Sequence, residues 1–441
     1  MLLAVAATPL GAAAITRGPY LQRVSRSEAI VRWRTDVPTF GRVWWGNAPG
    51  ALELDATSPF ATTEHRMVIG ALSPRQTVYY AVGDATGVLA GDDADHRFVT
   101  ARSAGDWRPL RLWVLGDSGT ADAGAIAVRD GFATFAGGAP PDLWMMLGDN
   151  AYSTGTDAEY EAAVFDLYPE TLRAASLWPA LGNHDAFSSD SPTQSGPYFS
   201  SFSLPRGGQA GGRPSGTEAW YSFEAGQAHL VVLDTADSSL APGSPMLAWL
   251  DLDLAANRRP WTIVAFHHPP YTKGSHDSDD PADSDGRMIA VRERVLPILE
   301  ARGVDLVLSG HSHGYERSFL LDGHYGPSVS FEPWMRLDAG DGDPDGDGPY
   351  RKSLGAHGGT VYVVAGSSGS VQGTIEAHPA IAVGLEALGS VVIDVASNRL
   401  DVRFVTVTGA VADHFALLDG DLVFADGFEA GDGSAWDPPS P

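Results

Sequence analysis

The stretch "DLWMMLGDNAYSTG", residues 142–155, decides the reading of the fold. Its first half is a run of large apolar side chains, as expected for a strand buried on both faces. The run ends in Gly148-Asp149, and Tyr152 follows three residues after the aspartate. A glycine–aspartate pair after a strand is, taken alone, usually a turn. A tyrosine there is, taken alone, packing. Whether the pair means more depends on what the rest of the chain repeats.

The same grammar recurs from Leu110 onward. "LRLWVLGD" (110–117), "HLVVLDT" (229–235), "WTIVAFHH" (261–268), "VDLVLSGH" (304–311) and "GTVYVVAG" (359–366) are near-continuous apolar runs. "AGAIAVRDGFATFA" (123–136), "MLAWLDLDLAANR" (246–258) and "MIAVRERVLPILEAR" (288–302) read as helices between them. Strands alternating with helices predict an α/β layered core. "SVVIDVASNRLDVRFVTV" (390–407) reads as a closing hairpin. Residues 18–100 differ: short runs rich in Val, Ile, Trp and Tyr, punctuated by turn residues, predict a small antiparallel β-sandwich.

Composition narrows the function. The chain has 441 residues and a net charge of −26, from 29 basic and 55 acidic side chains. Such a surface repels a phosphate backbone, which argues against nucleic-acid binding through a basic face. There is no cysteine, so disulfides, thiolate zinc sites and thiol catalysis are excluded. "MLLAVAATPLGAAA" (1–14) is an apolar run ending in small residues, similar to a signal peptide or its remnant, and predicts a secreted or periplasmic protein. No other run approaches the ~18 apolar residues of a membrane span.

The apolar runs share one feature: several lead straight into a side chain that can ligate a metal. They deliver Asp117, Asp149, His267 with His268, and His311 with His313; "WPALGNHD" (178–185) adds Asn183, His184 and Asp185. Sites in α/β sheets form where the carboxyl ends of strands meet. Carboxylates, imidazoles and an amide oxygen suit iron, zinc or manganese. The donors are too many for one tetrahedral zinc and suit two ions bridged by a carboxylate, about 3.5–4 Å apart. Each motif alone is weak; their ordered recurrence at strand ends is what carries the reading.

In this pattern the chain resembles the metallophosphoesterases and, within them, the purple acid phosphatases. The blocks that carry the resemblance are Asp117-Ser118-Gly119, Gly148-Asp149-Asn150-Ala151-Tyr152, Gly182-Asn183-His184-Asp185, Val264-Ala265-Phe266-His267 and Gly310-His311-Ser312-His313. The resemblance implies a layered β-sheet sandwich flanked by helices over 104–410. Before it, 15–103 is similar to a fibronectin type III-like domain; after it, 411–441 reads as an acidic tail. It implies that Asp149 bridges two ions, that Asp117, Tyr152 and His313 complete an Fe(III) site, and that Asn183, His267 and His311 complete a divalent site for Fe, Zn or Mn. With a bound hydroxide such a centre keeps a formal charge of about +1, enough to draw a phosphate to an acidic protein.

The implied activity is hydrolysis of small phosphate monoesters, acid phosphatase-like, by in-line attack of a metal-bound hydroxide. A phosphodiesterase or nucleotidase on the same site is the alternative, and a non-catalytic surface-binding protein a further one. His184 is implied to contact the phosphoryl group or protonate the leaving oxygen. His276 is the candidate for a second catalytic histidine, with His268 behind it, and Asp185 is read as orienting a ligand or His184.

Three features stand outside this scheme. Asp341, Asp343 and Asp345 resemble the start of a calcium loop, against the alternative of a solvated acidic turn. Trp44, Trp45, Trp249 and Trp261 read as packing. Tyr198 and Phe199, in the long loop from Ser188 to Ser215, are expected to line a substrate pocket.

Overall fold

The computed structural model describes residues 13–420 except 104, 105, 354 and 397. The expected export segment therefore lies, but for its last two residues, outside the described residues, as does the tail from 421 onward. The chain divides into two compact units, residues 1–101 with 168–176, and 102–167 with 177–441.

The first unit is built from antiparallel strands in two sheets. One pairs Ile15–Gln22, Ala29–Thr39 and Thr62–Ile69; the other centres on Arg42–Gly46 and Thr77–Asp84. Alternation decides their inner faces: Val31 and Trp33 from one sheet and Val43, Tyr80 and Val82 from the other are all buried in one core. His65 stacks on Trp33 with ring centroids 4.6 Å apart.

The second unit carries two seven-stranded mixed sheets. In the first, Leu177–Pro179, Leu143–Met146 and Leu110–Leu115 run parallel. Gly389–Ala396, Arg399–Thr406 and Val411–Asp419 then extend that sheet in antiparallel fashion. In the second, Ala228–Val232, Trp261–Ala265, Leu306–Ser309 and Val361–Ala365 run parallel at the centre. Apart from the half-buried Arg111, these parallel strands are buried along their length, which is why they read as near-continuous apolar runs.

Helix Ala123–Ala136 begins where Asp122 accepts from the amides of Gly124 and Ala125, and ends at Gly137 with φ 61°. These are the expected start and stop signals. Its Phe132 stacks on Trp113, 4.2 Å between centroids, which in turn stacks on Trp144 at 5.5 Å. On the second sheet, helix Pro245–Ala256 and segment Leu296–Ala301 bury Leu247, Leu250, Leu296 and Leu299 against Val264 and Val307.

Two expectations need correction. The sheet does not stop at 410, because Val411–Asp419 is a strand with Phe415, Ala416 and Leu417 fully buried. Its acidic, glycine-rich surroundings in the sequence hide that short apolar core. The strand also joins the two sheets: Asp413 takes a two-pronged bond from Arg317 at 2.7 and 3.0 Å and a bond from Tyr315 at 2.6 Å. Tyr198 and Phe199 do not line an open pocket. Both are buried, and the Tyr198 hydroxyl donates to the Pro179 carbonyl at 2.8 Å, because Pro197–Ser201 folds as a short helix inside the loop.

Candidate metal centre

Asp117, Asp149, His267 and His311 sit just past the ends of parallel strands, and Tyr152, Asn183 and His313 lie further along the same loops. Asp117, Asp149 and His311 all adopt left-handed φ, at 57°, 53° and 70°. That conformation is costly for residues other than glycine and concentrates at functional sites. Neighbouring glycines make the approach feasible. A Cβ at Gly182 would collide with Asp149 Oδ1 and its amide nitrogen, and one at Gly310 would collide with Asp117 Oδ2.

The side chains converge in two groups that share Asp149. The Tyr152 hydroxyl lies 3.2 Å from Asp117 Oδ1, 3.1 Å from Asp149 Oδ2 and 3.1 Å from His313 Nε2. On the other side of Asp149, His267 Nε2 lies 3.5 Å from Asp149 Oδ1, 2.8 Å from Asn183 Oδ1 and 3.1 Å from His311 Nδ1. The tyrosine that raised the question in the sequence thus touches the side chains expected to share its ion.

The donor chemistry fits cations. His267 Nδ1 faces the Leu147 carbonyl at 3.0 Å; a carbonyl only accepts, so that nitrogen carries a proton, and a ring without a second proton presents Nε2 as a bare lone pair. This lone pair faces the amide oxygen of Asn183 and a carboxylate. Acceptors facing acceptors in a buried site need a positive charge among them. Asp117 and Asp149 are also buried, at 0% and 2% exposure. Burial and the surrounding histidines push the His311 pKa well below the ordinary imidazole value, so that ring does not supply the charge. Burial, reinforced by the Asp117 and Asp149 carboxylates, pushes the Tyr152 phenol upward; a cation among these groups reverses that bias. For His313 burial opposes the charge, but the Asp117 bond and the charges of Asp117 and Asp149 prevail and raise its pKa.

The remaining candidates divide. The His184 amide donates to Asp149 Oδ1 at 2.9 Å, and its ring, a third exposed, holds Nδ1 2.7 Å from the Ser153 carbonyl. That directs Nε2 to the centre, 3.9 Å from Asp149 Oδ2. The His276 ring lies parallel to His311 with centroids 3.9 Å apart. His268 is buried behind the ligands, with Nδ1 3.1 Å from Thr235 Oγ1. Asp185 faces neither His184 nor the centre. Its carboxylate accepts from the Gly182 amide at 2.9 Å, Asn150 Nδ2 at 2.9 Å and the Tyr160 hydroxyl at 2.7 Å. It pins the two ligand-bearing loops together, and burial, then the nearby Asp149, raises it to about 6.

At the acidic loop, Asp341 and Asp343 each cap a backbone amide two residues on, at 3.0 and 2.9 Å. Asp343 and Asp345 gather with His414; Asp341 is not in that group. Sequence reasoning passed over Asp283 and Ser284, which approach His276 and His311. Their one signal in the sequence is a Ser-Asp-Gly turn following the histidine.

A layered α/β fold with hard and borderline donors gathered at its strand ends defines a metallohydrolase class of protein. Residues 110–315 match the calcineurin-like phosphoesterase family model. Human acid phosphatase type 7 is 31% identical over 322 residues, covering 65% of this chain and 67% of the human protein. An uncharacterized Mycobacterium tuberculosis protein is 29% identical over 278 residues, 56% of this chain; the chain spans about half (49%) of that relative's length. Among solved structures, a purple acid phosphatase from yellow lupin seeds superposes with a TM-score of 0.68 at 16% identity, covering 93% of this chain and 74% of that one. The chain belongs to the calcineurin-like phosphoesterases, a family of metal-dependent phosphoester hydrolases, with acid phosphatases among its relatives. Among the described residues no helix is long and apolar enough to cross a membrane.

Proposed function

We propose that this protein is a phosphomonoesterase of the purple acid phosphatase type, working with Fe(III) and a divalent ion on small phosphate esters. The observation that carries the proposal is the position of the Tyr152 hydroxyl, within 3.2 Å of Asp117, Asp149 and His313 at once. A phenolate with carboxylates and one imidazole is a hard donor set that favours a trivalent ion. Asp117, Tyr152, His313 and the shared Asp149 would hold that ion; Asn183, His267, His311 and Asp149 would hold the divalent one.

When bound, such a pair supplies an activated water and charge neutralisation at the phosphoryl oxygens. The chain's own groups do the rest. His184 reaches the centre through Nε2 with its other nitrogen occupied by Ser153, a geometry suited to donating a proton to the leaving oxygen. His276 is placed to contact the phosphoryl group from the side of His311. The fibronectin type III-like character of residues 15–103 and export in the sense of the 1–14 run belong to the same reading. Cell fractionation tests the latter.

Metal analysis, a visible spectrum and paired assays test the whole. Native protein should contain iron and absorb in the visible, and Tyr152→Phe should abolish the colour. p-Nitrophenyl phosphate should be hydrolysed faster than bis(p-nitrophenyl) phosphate at equal pH. A colourless native protein, or colour that survives Tyr152→Phe, removes the iron assignment; the reverse substrate order selects the diesterase alternative.

A further inference from the structure

Beyond the ligands lies a chain of hydrogen bonds that no block of the sequence pattern contains. His311 turns Nδ1 to the centre and Nε2 away from it, 2.6 Å from Ser284 Oγ. Ser284 Oγ lies 2.7 Å from Asp283 Oδ1. The same carboxylate oxygen lies 2.8 Å from His276 Nδ1, while Asp283 Oδ2 accepts from the Asp277 amide at 2.8 Å.

The proton positions follow in order. With Nδ1 of His311 given to a cation, its proton sits on Nε2 and is donated to Ser284 Oγ. The serine proton then has one acceptor to face, Asp283 Oδ1. His276 donates its Nδ1 proton to that oxygen too, which leaves its Nε2 free. We propose that Asp283 and Ser284 are positioning residues. Through Ser284, Asp283 fixes the tautomer and angle of the ligand His311, and directly it fixes the ring of His276. The inference rests on the metal-centre reading above.

The backbone supports a built device. Ser284 and Asp285 have successive left-handed φ, 52° and 53°, so the turn is held in a conformation that L-residues avoid. What that conformation achieves is the delivery of the serine hydroxyl to His311. Carboxylate partners of this kind raise ligand basicity, and their loss typically weakens metal affinity by roughly 10–100-fold.

The experiment is zinc competition against a chromophoric chelator, with iron content measured in parallel, on the full chain. Ser284→Gly removes the hydroxyl at a φ that glycine prefers. Asp283→Asn removes the carboxylate charge and leaves either the Asp277 amide or both Ser284 and His276 facing an amide NH₂. Each should weaken one zinc equivalent by roughly 10–100-fold with iron content unchanged. Ser284→Asn, which tolerates left-handed φ and still presents an acceptor, should restore most of the loss. Zinc affinities equal to wild type in both Ser284→Gly and Asp283→Asn overturn the inference and leave the proposed function standing. A lowered melting temperature of chelated Ser284→Gly also overturns it, since the residue would then serve the fold alone. A wild-type protein that binds no divalent ion removes the function and this inference together.

Discussion

Acid should weaken this protein at a buried histidine outside the proposed ligand set, and the sign and size can be worked out. His324 is fully buried between Tyr271, stacked at 5.2 Å, and Phe331, edge-on at 5.1 Å, and neither ring nitrogen has a hydrogen-bond partner among the described residues. Burial, then the Arg292 guanidinium, lowers its pKa from 6.5 to about 4, against a small opposing effect of Asp279. The unfolded chain takes up this proton near pH 6.5 and the folded chain only near 4, so the unfolded state binds more protons between those values. Stability conferred by the neutral ring is therefore complete above 6.5, falls as pH falls through the window, and stops falling below 4. At about pH 4.5 the loss amounts to about 2.5 kcal/mol. His324→Phe removes the titration without removing a side-chain hydrogen bond. Its larger ring costs some packing energy, but that cost does not vary with pH. Urea unfolding of wild type and variant at about pH 7.5 and 4.5 should show the variant gaining roughly 2 kcal/mol relative to wild type at the lower pH. A difference that stays constant across the two conditions refutes the reasoning. His378, 6.1 Å away and likewise lowered to about 4 by burial, should add to the wild-type slope but couple with His324 rather than add independently.

Other expectations follow from single contacts. Asp413→Ala leaves the buried Arg317 unpaired between the two sheets, and should cost about 3–5 kcal/mol in chemical denaturation; ending the chain at residue 410 should prevent stable folding. His184→Asn should lower kcat by about 10²–10⁴-fold with metal content unchanged, a combination that distinguishes proton transfer from ligation. Phe187 is 69% exposed with its ring 5.6 Å from His184. Phe187→Ala should raise KM for an aryl phosphate by about 2–10-fold and leave KM for glycerol phosphate unchanged.

The residues of the centre were legible because a strand buried on both faces has a distinctive composition and its last residue is therefore easy to locate. Asp117, Asp149, His267 and His311 each stand one to three positions past such a run, so strand ends and ligand identities could be read together. Asp283 and Ser284 could not be found that way. They lie in a polar turn, and only the fold brings that turn against His311. Asp185 shows the opposite difficulty: it was read as orienting a ligand or His184, but the two residues open a short 3-10 helix, and the Asp185 carboxylate meets Asn150 and Tyr160 rather than the His184 ring. The strand Val411–Asp419 was masked by acidic neighbours, since periodicity weighs surroundings and Phe415 to Leu417 is too short a run to outweigh them.

The left-handed backbone at the ligands bears on how the centre is made. A strand that ended in ordinary extended geometry would send its next side chain up or down from the sheet, away from its neighbours' ligands. Asp117, Asp149 and His311 are left-handed at the turns that follow their strands, and each such conformation costs of order 1–3 kcal/mol. Asp117 Oδ2 recovers part of that by accepting the His311 amide at 2.7 Å, and Asp149 Oδ1 by accepting the His184 amide at 2.9 Å. One oxygen of each carboxylate is thus spent on the opposite loop, while Asp117 Oδ1 and Asp149 Oδ2 both face Tyr152. The loops are locked to one another by the same residues proposed to bind the ions, so the fold itself sets the geometry of the donors.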